Sequence, residues 1–388
     1  TKLSKDKDKI KAQSNLALEA ATVDFGNGMT FKDSPDIQFS IEGDLSNVSQ
    51  LIYKGFINFA DASLTGLPTV KTADHLKGHV AFETNTLNMD SISLQTLGTT
   101  LKIKGRLNDF TKPQADLEIE TSSINLENLN PLITEYVKDI KLDLSGQAQV
   151  TAKFKGDIAQ PLEADLAIHS TFSDVNVVSD KLPDTLTKLS GTASYSKDEI
   201  QFQEVTGNFL KNDFSLNGKV SHFKSPTANV QLIAQDFNAD IEVESVGQHV
   251  QISKLNGKYF KSSFDIKGSA ELRENSEPDL NLNGKFNLDL SDLKNFPQLV
   301  EPLKTVNPVG ILTAKGNFKG KPKDIHSWAS TINISSPRVT LANHPVENII
   351  AKYTQEANTG KGSFILGSSI YGGKLSADAT IGVEDPKL

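Results

Sequence analysis

The sequence predicts an all-β fold with a few short helices, in which an elongated, curled antiparallel β-sheet is built from internal repeats. Three observations support this prediction. Apolar and polar residues alternate over many segments, as in a strand with one dry face and one wet face. Short turn signals such as SKDE and NG separate these segments, which suits hairpin connections. Long stretches of the pattern also recur farther along the chain.

The alternation is clearest in the segment DLNLNGKFNLDLSDL. There Leu282, Phe286 and Leu288 share one parity, whereas Asn283 and Lys285 share the other. A strand of this composition keeps one face apolar and the other solvated. A sheet of about twenty such strands would extend roughly 100 Å at the usual strand spacing of about 4.8 Å.

The repeats are visible as matched apolar positions. Residues 78–105 align without a gap with residues 191–218, and residues 124–131 resemble residues 288–295. Periodicity on this scale indicates a stacked or tandem architecture. It predicts a solvated linker over 1–14, a first β-repeat unit over 15–123, a second over 124–244, inserted strands over 245–290 and a third unit over 291–388.

Helical signals are few. The segment 130–139, NPLITEYVKD, places Asn before Pro in a first turn and predicts a short helix at the start of the second unit. Its counterpart over 296–305 carries a second proline and opens the third unit. Residues 46–54 form a third helical candidate.

The composition excludes several classes of function. A net charge of −8 and a pI near 5.5 argue against a nucleic-acid partner, since such proteins usually carry a basic stripe. The chain has no cysteine, which excludes disulfides and thiolate chemistry. It opens at Thr1 with a solvated stretch rather than a signal peptide, so we expect a fragment or mature form, and any membrane anchor would lie outside it.

No residue pattern predicts catalysis. His75 and His79 are the one close pair of histidines, but Gly78 disfavours a helix there and no HExxH motif accompanies them. Nucleophile elbows, phosphate loops and paired catalytic acids are also missing from the sequence. We therefore expect surface histidines, no metal, no cofactor and no enzymatic activity.

The apolar parity must be buried against something. A sheet covers its dry face with a second sheet, with helices, or by curling on itself, and the few helices predicted here are too short to cover it. Two arrangements remain open: stacked β-sandwiches, or a curled sheet whose apolar lining forms a groove. Gly43, Gly105, Gly156, Gly218 and Gly268 either bend the strands or end them.

Three motifs carry a family resemblance. They are the strand GQAQVTAKFKGDIAQP at 146–161, the strand LSGTASY at 189–195 and the hairpin FLKNDFSLNGKV at 209–220. Their order resembles the AsmA-like family of bacterial envelope proteins, which includes TamB-type relatives. The resemblance covers 124–242 well, 288–388 partly, and the N-terminal third through its internal match.

This resemblance implies a β-groove protein of the periplasm, anchored in the inner membrane by an N-terminal segment not present here. It implies phospholipid as the partner, moved between the inner and outer membranes, and outer-membrane assembly proteins as further partners. The lipid-binding candidates are the inward apolar residues Val80, Phe82, Leu87, Met89, Leu101, Ile103, Leu117, Ile119, Val150, Phe154, Leu166, Ile168, Tyr195, Ile200, Phe202, Phe214, Leu216, Val230, Leu232, Phe264, Ile266, Leu282, Phe286 and Leu288.

Two alternative functions remain. The chain could be a structural or adhesive surface protein made of tandem β-sandwiches, because a sandwich domain has about 100 residues. It could also be a scaffold for outer-membrane protein assembly, a role that the resemblance implies.

Overall fold

The all-β prediction is confirmed. In a computed structural model the protein is 75% strand and 6% helix, and its strands pair in an antiparallel arrangement that is not closed. The structure describes residues 2–6, 9–24, 28–33, 35–44, 46–47, 50–67, 70–136, 141–160, 163–273, 276–295 and 305–382. Contacts divide the chain into two units, Thr1–Lys211 and Asn212–Leu388.

The described residues of the first unit form fifteen strands. They are β1 (Lys2–Asp6), β2 (Lys9–Ala17), β3 (Ala21–Asp24), β4 (Thr30–Asp33), β5 (Asp36–Asp44), β6 (Ile52–Leu67), β7 (Lys71–Glu83), β8 (Thr86–Thr96), β9 (Thr99–Asn108), β10 (Gln114–Thr121), β11 (Ile124–Asn125), β12 (Leu142–Asp157), β13 (Asp165–Ser179), β14 (Leu186–Ser196) and β15 (Glu199–Phe209). From β5 onward they pair mainly with their neighbours in sequence. The exceptions are β5, which also pairs with β2, β6, whose far end pairs with β4, and β12, which pairs with both β10 and β11.

The second unit is a plain antiparallel succession in which each strand pairs with the next one in sequence. Its strands are β16 (Asn212–Ser221), β17 (Thr227–Ala234), β18 (Phe237–Val246), β19 (His249–Tyr259), β20 (Ser262–Arg273), β21 (Ser276–Asp289), β22 (Val309–Gly320), β23 (Ala329–Leu341), β24 (His344–Gln355), β25 (Lys361–Ile370) and β26 (Gly373–Gly382).

Helices are short, as predicted. The helix α1 spans Asn130–Tyr136, within the predicted segment 130–139, whose last residues lie outside the described ones. The helix predicted over 296–305 falls almost wholly outside them. The third candidate, 46–54, is wrong at its end, because residues from Ile52 onward pair with β5 as part of β6. Within the described ranges, 3-10 helices span Leu126–Leu129, Leu290–Asn295 and Ile325–Ser327.

The linker predicted over 1–14 is also wrong within the described residues. Lys2–Asp6 and Lys9–Ala17 are strands that pair with each other, and β2 pairs further with β5. The charged side chains of β2 alternate with Ile10, Ala12 and the buried Ser14. The high charge of this segment therefore comes from side chains on the solvent-exposed face of a strand. The boundaries drawn between the repeat units stay a prediction.

Small buried clusters stand where strands bulge. In the first unit Val175 is buried with Leu126 and Ala148, beside a register shift between Phe172 and Val175. In the second unit Val339 is buried with Leu290 and Val346. Leu126 and Leu290 occupy the matched segments 124–131 and 288–295, and each belongs to a 3-10 helix. The sequence repeat therefore corresponds to a repeated structural feature.

The five predicted glycines have φ values between 141° and 157°. Gly105 and Gly218 lie inside β9 and β16, so they do not end their strands. A Cβ on Gly105 would meet the carbonyl oxygen of Asp116 and lie 2.9 Å from the Cα of Leu117. A Cβ on Gly218 would lie 2.8 Å from the Cα of Val230. These positions require glycine because the adjacent strand approaches closely.

We expect Asp292→Ala to destabilise the second unit by roughly 2–4 kcal/mol, because it leaves buried donors without an acceptor. Asp292 is 3% exposed and accepts hydrogen bonds from the backbone N–H of Lys261 and of Ser262 (2.9 and 2.8 Å) and from the Ser262 hydroxyl (2.7 Å). Urea unfolding gives the free energy. The Asp292→Asn variant keeps one acceptor oxygen, so its free energy of unfolding should lie between those of the parent and of Asp292→Ala. Equal stability of the parent and both variants would contradict this account.

Candidate functional site

Apolar residues form continuous rows across the strands of the first unit. Residues paired in register lie on the same face of an antiparallel sheet. One row runs through nine strands from β6 to β15: Phe59, Gly78, Ile92, Ile103, Ile119, Ala152, Ile168, Tyr195 and Ile200. The neighbouring row runs from β5 to β13: Ile37, Ile57, Val80, Met89, Gly105, Leu117, Phe154 and Leu166.

The second unit repeats this arrangement from β16 to β26. One row is Leu216, Leu232, Ala239, Gly257, Phe264, Phe286, Ala314, Ile334, Ala351, Leu366 and Ala377. The next is Gly218, Val230, Ile241, Leu255, Ile266, Gly284, Gly316, Ile332, Tyr353, Phe364 and Ala379. We call the face formed by the rows of each unit its apolar face.

The predicted binding residues all lie on the apolar face of their own unit. Val80 is buried, Phe286 is 43% exposed, and the others are partly exposed. Several stand outside the rows above but share their parity. Phe82 pairs with Leu87, Leu101 with Leu94, Phe202 with Ala193, Leu282 with Phe318, and Leu288 with Leu312.

Among the described residues no second sheet covers the apolar face, and only short helical segments pack on it locally, with Leu126 buried beside Ala148 and Leu290 in a cluster that Leu288 contacts. Among the described residues no large side chain is fully buried, and the buried apolar residues are mostly Ala, Val, Ile and Leu. The chain exposes 24,725 Å². A folded globular protein of its mass of 42.1 kDa exposes about 15,000 Å², and two domains of half that mass about 18,000 Å². The excess area is what an uncovered sheet produces.

The opposite face of the first unit is polar and carries ion pairs. Glu118 lies between two lysines, 3.2 Å from Lys104 Nζ and 3.9 Å from Lys153 Nζ. Lys155 Nζ lies 3.5 Å from an oxygen of Asp116. These charges are solvated, so each pair contributes little to stability, but together they keep this face wet.

Local hydrogen bonds shift the pKa values of several side chains, among them His249 and Asp61. A hydrogen bond to Glu271 raises the pKa of His249 above its ordinary value. A hydrogen bond with His75, 3.0 Å long, lowers the pKa of Asp61. His79 bonds instead to the side-chain oxygen of Asn58 at 2.7 Å. The two neighbouring histidines therefore have separate partners.

Sequence reasoning missed the later part of the apolar face. It named no residue beyond Leu288, yet Ala314, Ile334, Ala351 and Leu366 continue the row. The alternation in TINIS and GSFILG was the available signal. It is weaker there because Ser, Ala and Gly occupy positions that larger apolar residues fill in the earlier strands.

In the ranges that the structure describes, no group of three or more His, Asp or Glu residues could hold a metal ion. No helix there has the length and apolar character needed to cross a membrane. Comparison of the chain with protein families, with characterised proteins and with solved structures gives no match.

Proposed function

We propose that the apolar faces bind the acyl chains of phospholipids, and that the protein conducts these lipids between the inner and outer membranes as an AsmA-like, non-enzymatic β-groove protein of the periplasm. The observation that carries the proposal is the largely uncovered apolar face: aromatic and aliphatic side chains lie in continuous rows and are partly exposed, and the part of the chain that the structure describes places no second sheet over them. The motif resemblance adds the envelope location and the inner-membrane anchor.

The energetics favour an apolar ligand. Removing apolar surface from water contributes about 25 cal/mol per Å², so a chain that covers 200 Å² of the face would gain about 5 kcal/mol before the entropy cost of binding. The rows contain no charged residue. A hydrocarbon chain therefore fits this face better than a polar ligand does.

The tandem β-sandwich alternative receives less support. Sandwiches bury their large side chains between two sheets about 10 Å apart. Phe264 and Phe286 pair across β20 and β21 on the apolar face, and Phe286 remains 43% exposed. An aromatic in the centre of a sandwich would be covered on both sides.

Lipid occupancy is tested by mass spectrometry of organic extracts from the purified protein. We expect copurified phospholipid, because an uncovered apolar face is unfavourable in water. Extracts that stay free of lipid over repeated preparations from the native source would contradict the proposal.

The binding surface is tested by placing a photocrosslinking amino acid at single positions. Probes at Phe154 and Phe264 should crosslink a long-chain phospholipid, whereas probes at Lys155 and Asp265 should give only background. Each control is the next residue in the same strand and points to the opposite face. Equal crosslinking on both faces would mean that lipid coats the protein without using the apolar face.

A further inference from the structure

A set of five lysines occupies the polar face of the second unit. They are Lys267 on β20, Lys285 on β21, Lys315 and Lys319 on β22, and Lys352 on β24. All five are exposed, and within the part of the chain that the structure describes none of them forms an ion pair. We call this set the lysine patch.

The register places like charges side by side. Lys285 and Lys315 pair directly, and Lys352 follows across Asn333. Like charges directly opposite each other in a sheet are unfavourable. The neighbouring side chains are mostly uncharged, such as Asn283 and Asn317.

Few carboxylates offset the patch. Asp265 pairs in register with Lys285. At the ends of these strands, Glu271 is bound to His249, and Asp279 to Arg273 at 2.6 Å. In the first unit the corresponding face is neutralised, because Glu118 and Asp116 contact Lys104, Lys153 and Lys155. The unpaired charge is thus a local feature of a chain whose net charge is −8.

We propose that the lysine patch docks the protein on the anionic headgroups of a lipid bilayer. Its lysines spread over five adjacent strands, which is about 19 Å at the usual strand spacing. A single phosphate could contact only neighbours such as Lys285 and Lys315. An array of headgroups can contact the whole set, and its phosphates neutralise lysines that few carboxylates of the chain neutralise. The patch lies on the face opposite to the acyl-binding one, so this inference stands apart from the proposed function.

The test measures binding of the full chain to vesicles of phosphatidylcholine with and without phosphatidylglycerol. Each lysine near an anionic surface contributes about a fivefold gain in affinity, so replacing Lys285, Lys315 and Lys352 together by Gln should weaken binding on the order of a hundredfold. The corresponding Arg triple variant should bind like the parent. Binding should also weaken as salt is raised.

The matched control replaces Lys104, Lys153 and Lys155 by Gln in the first unit, where the lysines have partners, and its affinity should change by less than about fivefold. The single variant Lys315→Gln, with an expected loss of about fivefold, replaces the triple variant if that protein does not fold. The proposal is overturned if the Gln triple variant binds anionic vesicles like the parent, or if the control variant loses as much affinity as the Gln triple variant does. It is also overturned if the parent binds neutral and anionic vesicles equally well, or if it binds soluble polyglutamate more tightly than the vesicles. Crosslinking at Phe264 should survive in the Gln triple, which separates this inference from lipid binding by the apolar face.

Discussion

Replacing Val339 by aspartate should destabilise the second unit by roughly 3–5 kcal/mol, as expected for an uncompensated buried charge. Val339 is 3% exposed and packs against Leu290 and Val346. Domains are typically stable by only about 5–15 kcal/mol, so this unit would approach unfolding. Trp328, the only tryptophan, packs edge-on against Phe318 at 4.9 Å in the same unit, and its fluorescence should follow the transition.

The matched control is Phe286→Asp on the apolar face of the same unit. That side chain is 43% exposed, so water solvates the new carboxylate and the loss is mainly the cross-strand contact with Phe264, about 1 kcal/mol. Lipid crosslinking near this position should fall while the unit stays folded. If both variants were destabilised equally, the apolar face would be a closed core and the groove proposal would fail.

Gly105→Ala should destabilise the first unit by about 3 kcal/mol or more, since backbone strain and overpacking each cost about 1–3 kcal/mol. The φ of 141° disfavours any side chain, and the new Cβ would press on Asp116 and Leu117 of β10. Unfolding followed by circular dichroism gives the change, while Trp328 reports the second unit separately.

Gly28→Ala isolates the contribution of backbone strain in the same unit. Gly28 also has a positive φ, 85°, but nothing lies within 4 Å of its added Cβ. Its cost should be about 1–2 kcal/mol, the penalty of the left-handed conformation alone. Losses of the same size at both glycines would show that the approach of β10 is unimportant.

Much of the fold could be predicted from the sequence because alternation is a local property. Leu282, Phe286 and Leu288 reveal their common face without knowledge of any partner strand. For the same reason the predicted binding residues fall on one face of the sheet in their own unit. Whether those residues bind lipid stays a prediction.

The remainder depended on pairing that the sequence does not encode locally. The charges of Lys2–Asp6 and Lys9–Ala17 predicted a linker, whereas backbone pairing with β5 makes these segments strands. The residues from Ile52 onward could fit a helix, and their pairing with β5 decides otherwise. Lys285 and Lys315 are neighbours only because β21 and β22 align in one particular register.

The strictly sequential pairing of the second unit bears on how such a chain can evolve. Every strand from β17 to β25 contacts the strand before it and the strand after it, so each hairpin is a module whose stability depends on its nearest neighbours. Duplication or loss of one hairpin would change the length of the sheet by about 9.6 Å, two strand spacings, and leave the remaining registers intact. The distance that such a surface spans is therefore adjustable by gene duplication in fixed increments, without redesign of its interior.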